Sequence, residues 1–411
     1  MKSLKRIGHK EVVTIMKRVL CAVLALVLLL STAAALAEDG MTRINPNEKR
    51  GIKVKDAGLN EVEDGISPTT GLALADLETP DGFAGLAVTG RYLPMLVQID
   101  NQDGGVDNPD GVNVSPWGAS YADIVYETPL HSRGMTRISF LFSDLIPDSV
   151  GPVRSARMGH VWLREEWDCG FLFYGQQEYA KTNVRQEFVK LGADEKGVLF
   201  SGMVSNSKPW KQYYTSRKGA TRPHHVDANV AAMSELIPET HVAPNHAFKF
   251  TDEYPSEGDT AELVTVRWVY EKTNKAMLHY GSNLEYDYDS NMYYRYMRYG
   301  NDELIPYEDR DTQEQLAFAN VIVQFIDVDY TRSDAPIAYV VGPYYYKGKG
   351  SKSAEGNADF FMGGKHIAGY WKREDMESRT VFYGPDGNEI ELQRGKTLII
   401  CCPDYTWVDY Q

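Results

Sequence analysis

The segment YLPMLVQIDN, residues 92–101, is an apolar run that ends in two polar residues, Asp100 and Asn101. Such a run predicts a strand buried on both faces, with polar groups at its carboxyl end. Three runs further along the chain, YADIVYE, RISFLFSD and CGFLFYG, have the same character. Segments with a helical period lie among them, and strands that alternate with helices indicate an α/β sheet. We therefore predict an α/β domain over residues 67–240.

The pattern changes after residue 244. NLEYDYDSNMYYRYMRYG has strand-like alternation around a turn at Asp289–Asn291, and DFFMGGKHIAGYWKR has a Gly363–Gly364 turn. Two strand-like runs that flank a short polar or glycine turn predict a β-hairpin. Further short strands are separated by the turn sequences PDGN and RGK. We predict an antiparallel β-rich domain over residues 244–404, and hence an α+β protein overall.

The first 37 residues predict a secretory signal peptide. Two basic residues precede the apolar run VLCAVLALVLLL, and Ala35-Leu36-Ala37 is a small-residue cleavage site. An uncleaved anchor is the alternative, and it is the one membrane attachment that the sequence predicts. Residues 38–66 are polar and charged, which is typical of a flexible tether. The expected location is extracytoplasmic, either secreted or associated with the cell envelope.

The net charge excludes one class of partner. The formal charge is −14, and removal of residues 1–37, with six basic and one acidic residue, makes it −19. Such a surface repels nucleic acid over long range, so we predict no nucleic-acid partner. The sequence contains no phosphate-cradling glycine loop and no dinucleotide fingerprint, and we predict no cofactor.

The stretch VGPVRSARMGH, residues 150–160, is therefore unusual in this acidic chain. Pro152 suits the first turn of a helix, and apolar positions recur with a helical period from Val153 to Trp167. We predict a helix that opens here and carries Arg154 and Arg157 near its N-terminus. Cations at that end oppose the helix macrodipole. Either a buried carboxylate of the protein or a bound anion would offset this cost.

Taken together, the motifs resemble the YerB-like lipoprotein family. The resemblance rests on VQIDN, ADIVYE, GMTR, VGPVRSAR and RPHH in the first domain, and on ANVIVQ, GGKHIAGYWKR and DGNEIELQRGKTLII in the second. It covers most of the chain from about Ser67 onward. It implies an exported bacterial protein of unknown function with a separate C-terminal domain. The sequence departs from the family in lacking a lipid-modified cysteine and in having His224–His225 where the family has His-Asn.

Polar residues of the first domain form the main candidate site. In open α/β sheets ligands lie beyond the carboxyl ends of the strands, and arginine forks bind carboxylate or phosphate at two points. The predicted pocket consists of Asp100, Asn101, Asp123, Glu127, Arg137, Arg154, Ser155 and Arg157. The alternative is an internal salt-bridge network, in which Asp100, Asp123 and Glu127 pair with the three arginines.

Two other segments are weaker candidates. RPHHVDAN places His224 or His225 near Asp227, which suits either ligand contact or acid–base chemistry. Its spacing to the later histidines fits no standard zinc pattern, so we predict no metal site. The loop DNQDGGVDNPDG, residues 100–111, lacks the alternate acidic positions of an EF-hand and is typical of a solvated turn.

Three functions follow as expectations. The first is binding of an anionic envelope ligand (a charged glycan, phosphate or carboxylate) at the arginine site, with His224 at its edge. The second is hydrolysis of a glycan or phosphoester bond in the same pocket, with Asp100 or Glu127 as base and His224 as acid. The third is a structural adaptor that docks a protein partner through the β-rich domain. The sequence leaves open whether the chain is an enzyme.

Overall fold

A computed structural model describes residues 40–101, 115–130, 135–179, 182–220, 222–270, 275–298, 304–328 and 354–411. The predicted signal peptide and most of the loop at residues 100–111 lie outside this part of the chain. Within it, four α-helices are α1 Leu86–Thr89, α2 Met158–Trp167, α3 Val184–Lys190 and α4 Val230–Ser234. Short 3-10 helices span Leu74–Asp76, Ala119–Tyr121, Ala193–Glu195 and Pro209–Tyr213. No helix among the described residues is long and apolar enough to cross a bilayer.

Strands dominate the described residues. In chain order they are β1 Thr42–Arg43, β2 Met95–Asp100, β3 Ile124–Pro129, β4 Thr136–Phe142, β5 Gly170–Phe173, β6 Glu178–Tyr179, β7 Thr182–Asn183, β8 Leu199–Ser201, β9 Tyr214–Ser216, β10 Val226–Ala228, β11 Lys249–Thr251, β12 Asp259–Thr260, β13 Leu263–Tyr270, β14 Lys275–Asp287, β15 Met292–Arg298, β16 Leu304–Pro306, β17 Ala317–Phe318, β18 Asn320–Phe325, β19 Ala354–Met362, β20 Lys365–Arg373, β21 Val381–Tyr383, β22 Glu391–Gln393, β23 Thr397–Cys402 and β24 Trp407–Tyr410. The four runs predicted as strands in the first domain are confirmed as β2, β3, β4 and β5. Both predicted hairpins are confirmed as β14–β15 and β19–β20.

One large sheet contains strands of both halves of the chain. Its order is β12-β20-β19-β18-β23-β3-β4-β2-β5-β8, with β21 paired to β20. Strands β18, β23, β3, β2, β5 and β8 run parallel, whereas β4 is antiparallel to both of its neighbours. The join between the halves is the parallel pairing of β23 with β3. The domain limits 67–240 and 244–404 stay a prediction, but the two segments share this sheet.

The large sheet is buried on both faces. On one face, Val161, Trp167 and Phe188 of α2 and α3 pack against Leu96 and other side chains of the sheet. On the other face lies a second, antiparallel sheet with the order β1-β24-β13-β14-β15-β16, to which β17 adds through β15. Its inward residues pack against Val97 and other residues of the large sheet. The large sheet therefore lies between helices from the first half of the chain and a sheet drawn mainly from the second half.

Residues 38–66, predicted as a flexible tether, are held against the second half of the chain from Thr42 onward. Thr42 and Arg43 pair with β24, which lies beyond the predicted domain end at residue 404. The Arg50 guanidinium donates to both carboxylate oxygens of the buried Asp359 at 2.9 Å. These contacts anchor the segment to the second half of the chain, which differs from the predicted free tether.

Candidate functional site

Polar side chains meet at the carboxyl end of the parallel strands. Asp100 is the last residue of β2, and Arg137 is its register partner on the antiparallel strand β4. Asn101 follows directly, and Glu127 lies near the end of the parallel strand β3. All four side chains are buried. The structure thus brings together four predicted site residues at the edge where ligands bind in open α/β sheets.

The motif VGPVRSAR is extended, and the prediction that a helix opens at Pro152 is wrong. The Arg154 N–H donates to Gln98 O at 2.8 Å, and the Asp100 N–H donates to Pro152 O at 3.2 Å. Helix α2 begins only at Met158. Strand β5 pairs with β2 no further than Val97, so the end of β2 needs another partner for its buried backbone groups. The motif fills that place.

Asp100 is the centre of an ion cluster. Its Oδ2 lies 3.0 Å from Arg154 Nε and 2.5 Å from His224 Nδ1, and its Oδ1 lies 3.4 Å from Arg137 Nη1. Burial alone would raise the pKa of Asp100, but Arg137, His224 and Arg154 together lower it to about 2. The Asp100 side chain is therefore a carboxylate throughout the neutral range, and it holds these three side chains in place.

Arg157 has no such partner. Its Nη1 donates to the carbonyl of Ala156 at 2.9 Å, and its Nε is shielded from solvent without an acceptor among the described residues. No described carboxylate forms an ion pair with it. Burial lowers the pKa of Arg157, and the positive charges of Arg137 and Arg154 lower it further, to about 9. Asp100 thus pairs with Arg137 and Arg154, while Arg157 lies near both arginines without a carboxylate of its own among the described residues.

His160 lies next to Arg157 and is hydrogen-bonded to its main chain. Its Nδ1 accepts the main-chain N–H of Arg157 at 3.1 Å, and its Nε2 lies 3.1 Å from Thr128 Oγ1. Burial lowers the pKa of His160 well below its ordinary value, and Arg137 and Arg157 lower it further. The imidazole is therefore neutral at neutral pH and does not compensate the charge of Arg157. Sequence reasoning did not single out this residue.

Glu127 belongs to a different network. Its Oε1 accepts from Trp268 Nε1 at 3.0 Å, and its Oε2 accepts from Ser282 Oγ at 2.7 Å and Arg295 Nη2 at 3.2 Å. Thr136 and Asn101 also donate to Oε1. The prediction that Glu127 pairs with the arginines of the first domain is wrong, because its charge is matched by Arg295 of β15. Five donors hold this carboxylate, so it is not available as a base.

Asp123 lies at the opposite end of β3, about 13 Å from Glu127 along the strand. Its Oδ2 accepts from the Ser143 N–H at 2.5 Å, from Ser143 Oγ at 2.7 Å and from the Asp144 N–H at 3.0 Å. Burial raises the pKa of Asp123 well above its ordinary value, and the nearby Asp144 raises it further. Asp123 is therefore not part of the arginine site. Of the three acids in the predicted internal salt-bridge network, Asp100 alone pairs with these arginines among the described residues.

We expect the substitution Asp123→Asn to flatten the pH dependence of stability. Because the folded-state pKa of Asp123 is raised, its proton stabilises the fold at low pH, and this contribution is lost as the pH rises from the unfolded value of about 3.9 through the raised value. Asparagine keeps the acceptor but does not ionise. Urea unfolding between about pH 4 and pH 8 should show wild type losing stability relative to the variant. A constant difference would contradict the raised pKa.

Ser155 and Asp227 form hydrogen bonds with partners outside the arginine site. Ser155 Oγ donates to Tyr174 O at 3.1 Å. Asp227 accepts from Trp117, Ser149 and Thr215, so it does not partner His224. Among the described residues, no group of three or more His, Cys, Asp or Glu side chains is arranged to hold a metal ion.

Comparison with known proteins places the chain in a family. The N-terminal domain model of the protein of unknown function DUF3048 matches residues 84–243, and the C-terminal domain model of the same family matches residues 265–399. The chain therefore belongs to the DUF3048 family, whose two domains have no assigned function.

A named relative and its structure agree with this assignment. A Bacillus subtilis (strain 168) protein named "Putative lipoprotein YerB" is 28% identical over 298 residues, which cover 70% of this chain and 76% of that protein. The crystal structure of YerB from Bacillus subtilis matches with a TM-score of 0.58 and 21% identity, over 84% of this chain and 99% of that chain. The likeness to the crystal structure supports the fold.

Proposed function

We propose that this protein binds an anionic ligand at the arginine site of its N-terminal half. The observation that carries the proposal is Arg157, a guanidinium with a shielded Nε and no carboxylate partner among the described residues. Arg157 is half-buried, and a charge largely withdrawn from water without a counter-charge is costly unless something else compensates it. A phosphate, a carboxylate or a charged glycan would provide that compensation.

The arrangement suggests a division of roles. Arg157 and Arg154 would contact the ligand, since Arg154 keeps 24% of its side chain exposed while its Nε lies beside Asp100. Asp100 and Arg137 would position Arg154, and Asn101 would fix the end of β2 through its bond to Thr136 at 2.6 Å. Arginine suits this role because its planar fork matches carboxylate and phosphate oxygens at two points.

An extracytoplasmic location is part of the proposal. It is supported by the leader-like first 37 residues and by the lipoprotein name of the Bacillus subtilis relative. The anion would then be a component of the cell envelope. Fractionation of cells that express the full chain tests this part, and recovery of the protein only from the cytoplasm would contradict it.

A panel of anions tests the binding proposal. Thermal unfolding is followed with phosphate, sulfate, acetate, glucuronate and glycerol phosphate, and a ligand that binds only the native state raises its stability by about 2.7 kcal/mol at a hundredfold excess over Kd. We expect a saturable rise for wild type and for Arg43→Gln, a surface arginine paired with Asp409, but none for Arg157→Met. Equal rises in wild type and Arg157→Met would refute the site.

Hydrolysis in the same pocket is the second candidate, favoured by the Asp100–His224 pair. The 2.5 Å contact uses His224 Nδ1, which leaves Nε2 as the nitrogen that can exchange a proton with a ligand. Asp100 would orient the imidazole rather than act as the base, because its pKa is lowered to about 2.

We expect His224→Asn to separate the two functions. Proton transfer by a positioned side chain contributes about 10²–10⁴-fold to a rate. If the protein cleaves a phosphoester or glycan, turnover should fall by that factor in the variant, while phosphate affinity changes little. The measurement is product release from a panel of phosphoesters and envelope glycans, with phosphate titrated into both proteins. Unchanged turnover in His224→Asn would exclude this histidine from catalysis.

A further inference from the structure

A cavity lies at the amino ends of β3 and β23, whereas the arginine site lies at the carboxyl end of β2. It has a volume of about 430 Å³, within the range of small-molecule pockets. One wall is the 3-10 turn of the first half of the chain, and the others come from β15, β17 and the turn before β23. Its lining includes Leu72, Ser120, Met292, Glu314, Phe318 and Lys396.

Two cations, Arg394 and Lys396, line this cavity, and Arg394 is engaged by Asp252 Oδ1 and by the main-chain oxygen of Gly71, both at 2.6 Å. The Lys396 ammonium group donates to the main-chain oxygen of Ser120, which uses one of its three N–H donors. Within the described residues it forms no ion pair with a carboxylate. Asp309 is occupied by the main-chain N–H and hydroxyl of Ser120, at 2.9 and 3.1 Å. Burial lowers the pKa of Lys396. The Lys396 side chain therefore lies in the cavity wall with N–H donors that no described group uses.

The rest of the lining is largely apolar. Ala119, Ala122, Leu316 and Phe318 line it, are buried, and have side chains of carbon alone. Glu314 also lines it, but this residue is exposed and so belongs to the mouth. An acidic mouth disfavours ligands with several negative charges. The chemistry fits a molecule with an apolar body and one carboxylate.

We propose that this cavity binds an amphiphilic monocarboxylate, with the carboxylate on the Lys396 ammonium and the hydrocarbon among Ala122, Leu316 and Phe318. This site is separate from the arginine site and does not depend on it. A charge-assisted hydrogen bond is about twice as strong as a neutral one. The matched comparison is octanoate against octanol, which share the apolar body and differ in charge.

Calorimetric titration of the full chain tests the proposal. We expect octanoate to bind one site at least about tenfold more tightly than octanol, a difference of about 1.4 kcal/mol, because its carboxylate forms a charge-assisted hydrogen bond with the ammonium group. Lys396→Met should remove this preference. Lys249→Met, which removes a surface lysine paired with Glu391, should keep it. Arg157→Met should keep it as well, so failure here is distinguishable from failure of the arginine site.

Three results would overturn the proposal. The first is that octanoate binds wild type no better than octanol. The second is that Lys396→Met keeps the preference for octanoate. The third is that Arg157→Met loses this preference, which would mean that the carboxylate binds to the arginines. If Lys396→Met does not fold, wild type alone decides the question. Amine-selective acetylation mapped by mass spectrometry should then show that octanoate protects Lys396 and leaves Lys249 unprotected, and equal modification of Lys396 with and without octanoate would refute the site.

Discussion

The substitution Arg157→Met should leave the ligand-free protein as stable as wild type, or more stable by about 1 kcal/mol, while anion binding is lost. The reason is the position of the guanidinium. It lies near Arg137 and Arg154 with no carboxylate of its own among the described residues, and its pKa is lowered to about 9. Removing a charge that the fold disfavours relieves repulsion, and methionine retains much of the apolar contact.

Urea unfolding with and without phosphate measures both halves of this prediction. At a hundredfold excess over Kd, wild type should gain about 2.7 kcal/mol and the variant nothing. Arg43→Gln is the matched control, because it removes the same charge from the surface. A loss of about 3 kcal/mol or more in Arg157→Met without ligand would mean that the protein itself compensates this charge, and the binding account would be wrong.

The substitution Glu127→Gln should lower the free energy of unfolding by about 3–5 kcal/mol, the cost of leaving one partner of a buried ion pair alone. Glu127 and Arg295 are both fully buried, and the carboxylate also accepts from Trp268 and Ser282. These partners lie on the second sheet, so the contact joins the two layers.

The two halves of the chain are also joined within the large sheet, where β3 pairs with β23. We therefore expect both halves of the chain to unfold in one transition.

The double variant Glu127→Gln/Arg295→Met separates the charge from the packing. Once both charges are absent, we expect at least about 2 kcal/mol of the loss to be recovered, because pairwise coupling between buried contacts is of this order. Circular dichroism and tryptophan fluorescence followed during urea unfolding provide the measurement. If the stability loss of the double variant equals the sum of the losses of the two single variants, Glu127 and Arg295 do not stabilise each other. Two separate unfolding transitions would contradict the prediction that both halves of the chain unfold together.

Much of the fold could be predicted because the strands carry their signal locally. Residues 95–100 and 136–142 are buried along their whole length, and this burial is what a continuous apolar run predicts. The motif at residues 150–157 was misjudged for the same reason. Its apolar spacing suits a helix, but its backbone groups are used in tertiary pairing. The Arg154 N–H donates to Gln98 O of β2, Pro152 O accepts from the Asp100 N–H, and the Val153 N–H donates to Val226 O of β10.

The partner of Glu127 could not be predicted in the same way. Arg295 is 168 residues away in the chain, and nothing near Glu127 points to it. One signal was present: in β15 the half-buried positions Tyr294 and Tyr296 alternate with Tyr293, Arg295 and Met297, which are buried. An arginine at a buried position of a strand needs a carboxylate as a partner. Sequence alone does not say which acid, because that choice depends on how the two sheets pack.

The central claim is that an external anion, rather than a side chain of the protein, compensates Arg157. Crystals grown with selenate test it most directly, since selenium gives an anomalous signal that locates the ion. We predict an anomalous peak within hydrogen-bond distance of the Arg157 guanidinium in wild type, and none at this position in Arg157→Met crystals. A carboxylate of the protein resting on Arg157, with selenate bound only at surface arginines, would contradict the account.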